Sequence, residues 1–170
     1  MRILIVIDMQ EEFPAATPEL MEKILEYKRM NNLKTYFVLY PDLTEPEWRK
    51  IIEQERMFNM KDLSLKDKIL YKFQNDATSV IVEQLLKDIN PLIGDSDFKI
   101  DENLTLELCG VNTLSCVQQT CNGLYQLNSK FNIVINTDLC NDSRFVYLDK
   151  QQIHHTYKND GILLNENNFS

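Results

Sequence analysis

Three side chains able to share one piece of chemistry stand just after apolar, strand-like runs: Asp8 after residues 3–7, Lys72 closing the run 68–72, and Cys116 five residues beyond Val111. A thiol becomes a nucleophile when a helix N-terminus or a nearby cation lowers its pKa. Cys116 follows Thr113, Leu114 and Ser115 at the expected start of a helix, where the helix dipole favours a thiolate. Lys72 could supply the cation and Asp8 the proton acceptor, which gives a Cys-Lys-Asp set with the logic of nucleophile plus base. The plainer readings are that Cys116 is inert packing, Asp8 a strand terminator and Lys72 a solvated strand-end cation. Against them, a carboxylate placed directly after a strand buried on both faces is costly unless it is used.

The elements that must carry these residues alternate regularly. Residues 3–7 form an apolar run with the look of a strand buried on both faces. A helix is expected over 18–31, with Thr17 as N-cap and Pro18 at its first position. Strands follow at 35–40, 68–72, 104–111 and 132–136, and helices at 45–57, 77–89 and 115–127. A weaker helix over 148–157 and a last strand at 161–164 close the chain. Alternating strands and helices imply a parallel sheet covered on both faces, because parallel strands need crossover connections. The expected architecture is a three-layer α/β/α sandwich around a mainly parallel sheet of roughly six strands. In such sheets ligands gather at the carboxyl ends of the strands, where Asp8, Lys72 and Cys116 all fall.

The chain has 170 residues, which suits one domain (1–170) with a full hydrophobic core. A net charge of −8 argues against nucleic acid and against an anionic membrane surface as partners. The first apolar run is too short for a signal peptide and no run reaches the length of a spanning helix, so a cytoplasmic protein is expected. None of the four cysteines forms a C-x-x-C pair, which is poor zinc spacing, and Cys109, Cys121 and Cys140 read as packing. His154 and His155 are adjacent, so on a helix they point about 100° apart and suit a surface better than one metal. Other parallel-sheet chemistries fail on residues: the turn Asp8-Met9-Gln10-Glu11-Glu12-Phe13 has no glycine for a dinucleotide, there is no phosphate-binding G-x-x-x-x-G-K-[ST], and Gln10 stands where an aspartyl-phosphate phosphatase has its second Asp.

Three motifs, in order, resemble those of the isochorismatase-like cysteine hydrolases, a family that also contains nicotinamidases and N-carbamoyl amidohydrolases. Ile7-Asp8-Met9-Gln10-Glu11-Glu12-Phe13 is similar to I-D-M-Q-x-x-F, whose Asp is the catalytic acid/base. Lys72-Phe73-Gln74-Asn75-Asp76-Ala77 is similar to K-x-x-x-[SD]-A-F, with Thr78 in place of the last Phe. Gly110 to Thr120 resembles G-V-x-T-x-x-C-V-x-x-T, with the nucleophile at Cys116, and Asp138 to Ser143 resembles D-A-x-x-x-S.

The resemblance implies a cis peptide between Val111 and Asn112 and an oxyanion hole made by the amides of Asn112 and Cys116, donors worth roughly 3 to 4 kcal/mol each. It implies that Asp8 accepts the thiol proton, Cys116 attacks a carbonyl and Asp8 then protonates the leaving amine before activating water, while Lys72 assists both. Gln10, Phe13 and Thr113 are candidates to line the pocket, with Phe13 equally suited to the core. Nicotinamidases carry D-x-H after the second strand and a further His before the Lys; here that place reads Asp42-Leu43-Thr44 and no His precedes His154, so neither metal nor other cofactor is expected. The expected activity is metal-independent hydrolysis of an amide-type C–N bond in a small molecule. The alternatives are hydrolysis of an isochorismate-like vinyl ether with Asp8 as general acid, a binding or scaffold protein without turnover, and a thiol redox protein. A homo-oligomer is expected by resemblance alone. The segment 42–67, with Trp48 and Phe58, could equally be a lid or an ordinary amphipathic helix.

Overall fold

The computed structural model describes residues 1–41, 63–89, 104–127 and 132–143. The expected helices at 45–57 and 148–157, the strand at 161–164, both histidines, and Trp48 and Phe58 lie outside the described residues.

Five strands form one sheet in the order β3-β2-β1-β4-β5: β1 (Arg2–Ile7), β2 (Lys34–Leu39), β3 (Lys68–Tyr71), β4 (Thr105–Gly110) and β5 (Asn132–Cys140). Every pair is parallel, from Ile5 opposite Tyr36 to Ile5 opposite Leu108. Central β1 is apolar on both faces because both faces are covered. Its Ile3, Ile5 and Ile7 join Tyr36, Val38, Leu106 and Leu108 beneath α2 (Thr78–Ile89) and α3 (Gln118–Leu127), through Ile81, Leu85, Cys121 and Leu124. Leu4 and Val6 face the other way, with Phe37 and Cys109, onto α1 (Pro18–Met30). The expected three-layer sandwich is therefore present, with five strands among the described residues.

Local chemistry explains the helix ends. Thr17 is extended, its Oγ1 accepts the Leu20 N–H at 3.2 Å, and Pro18 begins the helix where no N–H is needed. The buried residues of α1, namely Leu20, Met21, Ile24, Leu25 and Lys28, recur at one-turn spacing and so form one stripe. Lys28 ends buried against Asp67 at 2.5 Å, an ion pair that ties α1 to the loop before β3.

Two elements depart from the sequence reading. A single π-helical turn, Thr113–Val117, precedes α3, so Cys116 sits in that turn rather than in the first turn of a regular α-helix. Strand β5 runs to Cys140 instead of ending at Asn136. Leu108 pairs with Ile135 but Gly110 with Cys140, so β5 uses five residue steps where β4 uses two. That bulge accommodates the polar stretch Asn136-Thr137-Asp138, which hydrophobic patterning reads as a strand end. Asn136 is buried because its Nδ2 donates to Glu107 Oε1 at 2.9 Å, and Arg2 and Tyr27 complete the surroundings of that carboxylate.

Candidate active site

The end of β1 delivers Asp8 into the crevice between β1 and β4, where strand order reverses. Asp8 has φ 53°, a left-handed conformation that Asp tolerates better than most residues. Its N–H still donates to Val38 O at 2.9 Å, so the backbone is held by β2 while the side chain turns out of the strand pattern. Opposite Ile7, Gly110 has φ 107°, and a Cβ there would stand 2.1 Å from Ile7 O. Glycine at this position lets the ends of β1 and β4 meet.

Lys72 follows β3 directly, and its N–H donates to Leu39 O at 3.0 Å. Its Nζ lies 2.8 Å from Asp8 Oδ2, with both side chains 1% exposed, and 5.3 Å from the centre of the Tyr40 ring. The Asn75 carbonyl accepts from the same Nζ at 3.3 Å. The loop then enters α2 through Asp76, whose Oδ1 accepts the Thr78 N–H at 2.8 Å. That helix start is locked to α3: Thr120 Oγ1 accepts the Ala77 N–H at 3.0 Å, and Gly123 leaves the space that Thr78 and Asp76 occupy. The segments that carry Lys72 and Cys116 are thus fixed to each other.

The Val111–Asn112 peptide is cis. Beyond it, Asn112 O accepts from the N–H groups of Ser115 and Val117 at 3.1 and 3.2 Å, which winds the turn that carries Cys116. The tail of β5 closes on this turn. Asn141 O accepts from both N and Oγ1 of Thr113, Asp142 Oδ2 accepts the Leu114 N–H at 2.8 Å, and Ser143 donates from both N and Oγ to Asn112 Oδ1 at 2.9 Å. Asn141 Nδ2 reaches Ala15 O at 3.0 Å, so the same tail also holds the loop after Asp8.

Asp8, Lys72 and Cys116 are therefore brought together from three strand ends. Neither Asp8 oxygen makes a well-directed hydrogen bond among the described residues, although the Lys72 ammonium and the Cys116 thiol stand beside the carboxylate. Burial raises the pKa of Asp8, and Lys72 opposes the rise. Burial also pushes the Cys116 thiol up, with the Asp8 charge adding to the effect and Lys72 opposing it. Position at a helix start favours a thiolate, and desolvation, the largest influence on this thiol, opposes it. Burial thus pushes the thiol toward its protonated form, beside a carboxyl group placed to take its proton.

The other site candidates are placed as follows. Gln10 is fully buried and its amide bridges to Tyr40, with Oε1 accepting the Tyr40 N–H at 2.7 Å and Nε2 donating to Tyr40 O at 3.1 Å. Thr113 is fully buried on Asn141, and Phe13 packs against the α1-side core. Asn75 is a site residue that the sequence reading quotes in a motif without a role: the Cys116 thiol points to its Oδ1 at 3.8 Å, and its carbonyl holds Lys72. Its position three residues after Lys72, in the same strand-end loop, is the only signal the sequence offers. Cys109 and Cys121 are buried, and burial raises their thiols, that of Cys121 to about 12. Among the described residues no group of three or more His, Cys, Asp or Glu side chains could hold a metal ion. No helix of the described residues is long and apolar enough to cross a membrane.

No protein-family model and no curated protein sequence matches this chain. Solved structures do match along nearly its whole length. An isochorismatase family protein has a TM-score of 0.64 at 19% identity, with 96% of each chain covered. The N-carbamoylsarcosine amidase of Thermoplasma acidophilum has a TM-score of 0.63 at 16% identity, covering 96% of this chain and 94% of its own. The nicotinamidase of Staphylococcus aureus has a TM-score of 0.61 at 16% identity, with 98% of each chain covered. With matches of this quality over 96–98% of its length, the chain has the fold of the isochorismatase-like cysteine hydrolases.

Proposed function

We propose that the protein is a metal-independent cysteine hydrolase that opens an amide-type C–N bond of a small molecule through a thioester on Cys116. The observation that carries this reading is the meeting of Asp8, Lys72 and Cys116 at the ends of β1, β3 and in the turn after β4, with a 2.8 Å ion pair between the first two. In the first half-reaction Asp8 takes the Sγ proton, the sulfur attacks the carbonyl carbon, and the proton passes from Asp8 to the leaving nitrogen as the C–N bond breaks. In the second, Asp8 removes a proton from water, the hydroxide attacks the thioester, and the thiol is regenerated as the acid leaves. Lys72 keeps the site's charge balanced while thiolate and carboxylate exchange the proton. The N–H groups of Thr113, Leu114, Ser115 and Val117 are engaged by the fold, which directs the search for oxyanion donors to Asn112 and Cys116.

The direct test is intact-mass analysis with p-nitrophenyl acetate as acyl donor, followed by peptide mapping. Acetylation at Cys116 that decays with time is expected; a stable adduct elsewhere, or none, contradicts the covalent route. The acid limb of the acylation rate is expected to lie above the ordinary carboxylate value of about 3.9. The sign follows from Asp8, which must be ionised to accept the proton and whose pKa is raised by burial. A pH series showing a rate independent of pH from 4 upward, within about the precision of a rate measurement, would exclude Asp8 as the base. Turnover is expected to survive a chelator, and loss restored by zinc would overturn the metal-free mechanism.

A second reading is favoured by one observation. A carboxyl group that burial inclines to keep its proton is also suited to protonate a vinyl ether. In that case turnover of an enol ether survives removal of the Cys116 sulfur.

A further inference from the structure

We propose that Asn112 and Ser143 are positioning residues of the oxyanion hole, with Ser143 gripping the Asn112 side chain from the β5 tail and so fixing the direction of the Asn112 N–H. The proposal rests on the hydrolase reading above.

The geometry is specific to one atom. Asn112 Oδ1 receives two hydrogen bonds of 2.9 Å, both from Ser143, one from its backbone N–H and one from its hydroxyl. The Asn112 carbonyl is taken separately by the N–H groups of Ser115 and Val117. The side-chain oxygen and the carbonyl are thus both anchored, and none of these bonds uses the backbone N–H. The tail does not need Ser143 simply to stay docked, because Asn141 O and Asp142 Oδ2 already receive three bonds from Thr113 and Leu114. What Ser143 adds is a restraint on the residue that begins the turn of Cys116. An oxyanion bond gains strength from preorganised direction, since hydrogen bonds weaken steeply as the angle closes. Ser143 is exposed, so removing its hydroxyl alters the restraint without opening the core.

The test compares two reactions of the same sulfur. Acylation by p-nitrophenyl acetate passes through an oxyanion; alkylation by iodoacetamide does not. Ser143→Ala is expected to slow acylation about 3- to 10-fold and Asn112→Ala about 10- to 100-fold, with alkylation unchanged and thermal midpoints close to wild type. Ser143→Thr, which keeps both donors, restores the acylation rate. Unchanged acylation in both alanine variants overturns the proposal, as does an equal fall of acylation and alkylation, which marks a structural role. A wild-type protein that is alkylated but never acylated overturns the hydrolase reading itself, and this one with it.

Discussion

Cys116→Ala is expected to lower acyl transfer by at least about 10⁴-fold, because the variant lacks the sulfur that forms the thioester. Intact mass with peptide mapping after incubation with the ester reads the result, and a decaying acyl-enzyme formed at the wild-type rate in this variant refutes the assignment of the nucleophile. Asp8→Asn is expected to lower the rate by about 10²- to 10⁴-fold, since the buried thiol then has no base within the site. The two losses are not expected to add, because base and nucleophile act in one step and removing either stops it. Asp8→Asn carries a second cost. It strands the Lys72 ammonium, itself 1% exposed, and unpairing a buried ion destabilises by about 3 to 5 kcal/mol. Adding Lys72→Met should return most of that stability and none of the activity, so a urea titration alongside the kinetics separates folding from chemistry.

Gly110→Ala is expected to be among the most destabilising single changes in the chain. The added Cβ meets the Ile7 backbone at 2.1 Å from O and 2.7 Å from N, and backbone cannot rotate aside as a side-chain tip can. At φ 107° the substituted residue is also strained in its own right. Strain and overpacking together suggest about 3 to 5 kcal/mol, a large part of the stability of a typical domain. Ile7 immediately precedes Asp8, so whatever relief the clash finds moves the carboxylate. A fall in the urea midpoint is expected, with activity reduced even under conditions where the variant is folded. A midpoint within error of wild type would show that β1 and β4 can separate at this point without penalty.

The sequence makes the centre of the site legible because the site is built from strand ends. A run such as Ile3 to Ile7 announces a strand covered on both faces, and the first polar residue after it marks the carboxyl end. Asp8, Lys72 and Cys116 follow from that rule and from motif spacing. The grip of Ser143 on Asn112 does not, because it joins residues 31 positions apart through a strand whose end hydrophobic patterning misplaces. Asn136 reads as the last residue of its strand, and nothing in the sequence shows that it is buried on Glu107. The upward push of burial on the Cys116 thiol is equally hidden, since position along a helix is readable in a sequence and depth of burial in a crowded crevice is not.

The strand order also sets the distance over which Asp8 and Lys72 meet. Asp8 leaves the end of β1 and Lys72 the end of β3, and β2 lies between them. Two strand spacings separate their backbones by about 9.6 Å, a gap that the long Lys72 side chain crosses. The four-carbon stem of Lys72 crosses above the end of β2, with the Tyr40 ring 5.3 Å from its ammonium, and arrives at 2.8 Å from the carboxylate. Sheet geometry, set by backbone hydrogen bonds away from the crevice, thus sets the span that the Lys72 side chain has to cover. Exchanging the order of two strands would silence the site without changing one of its residues.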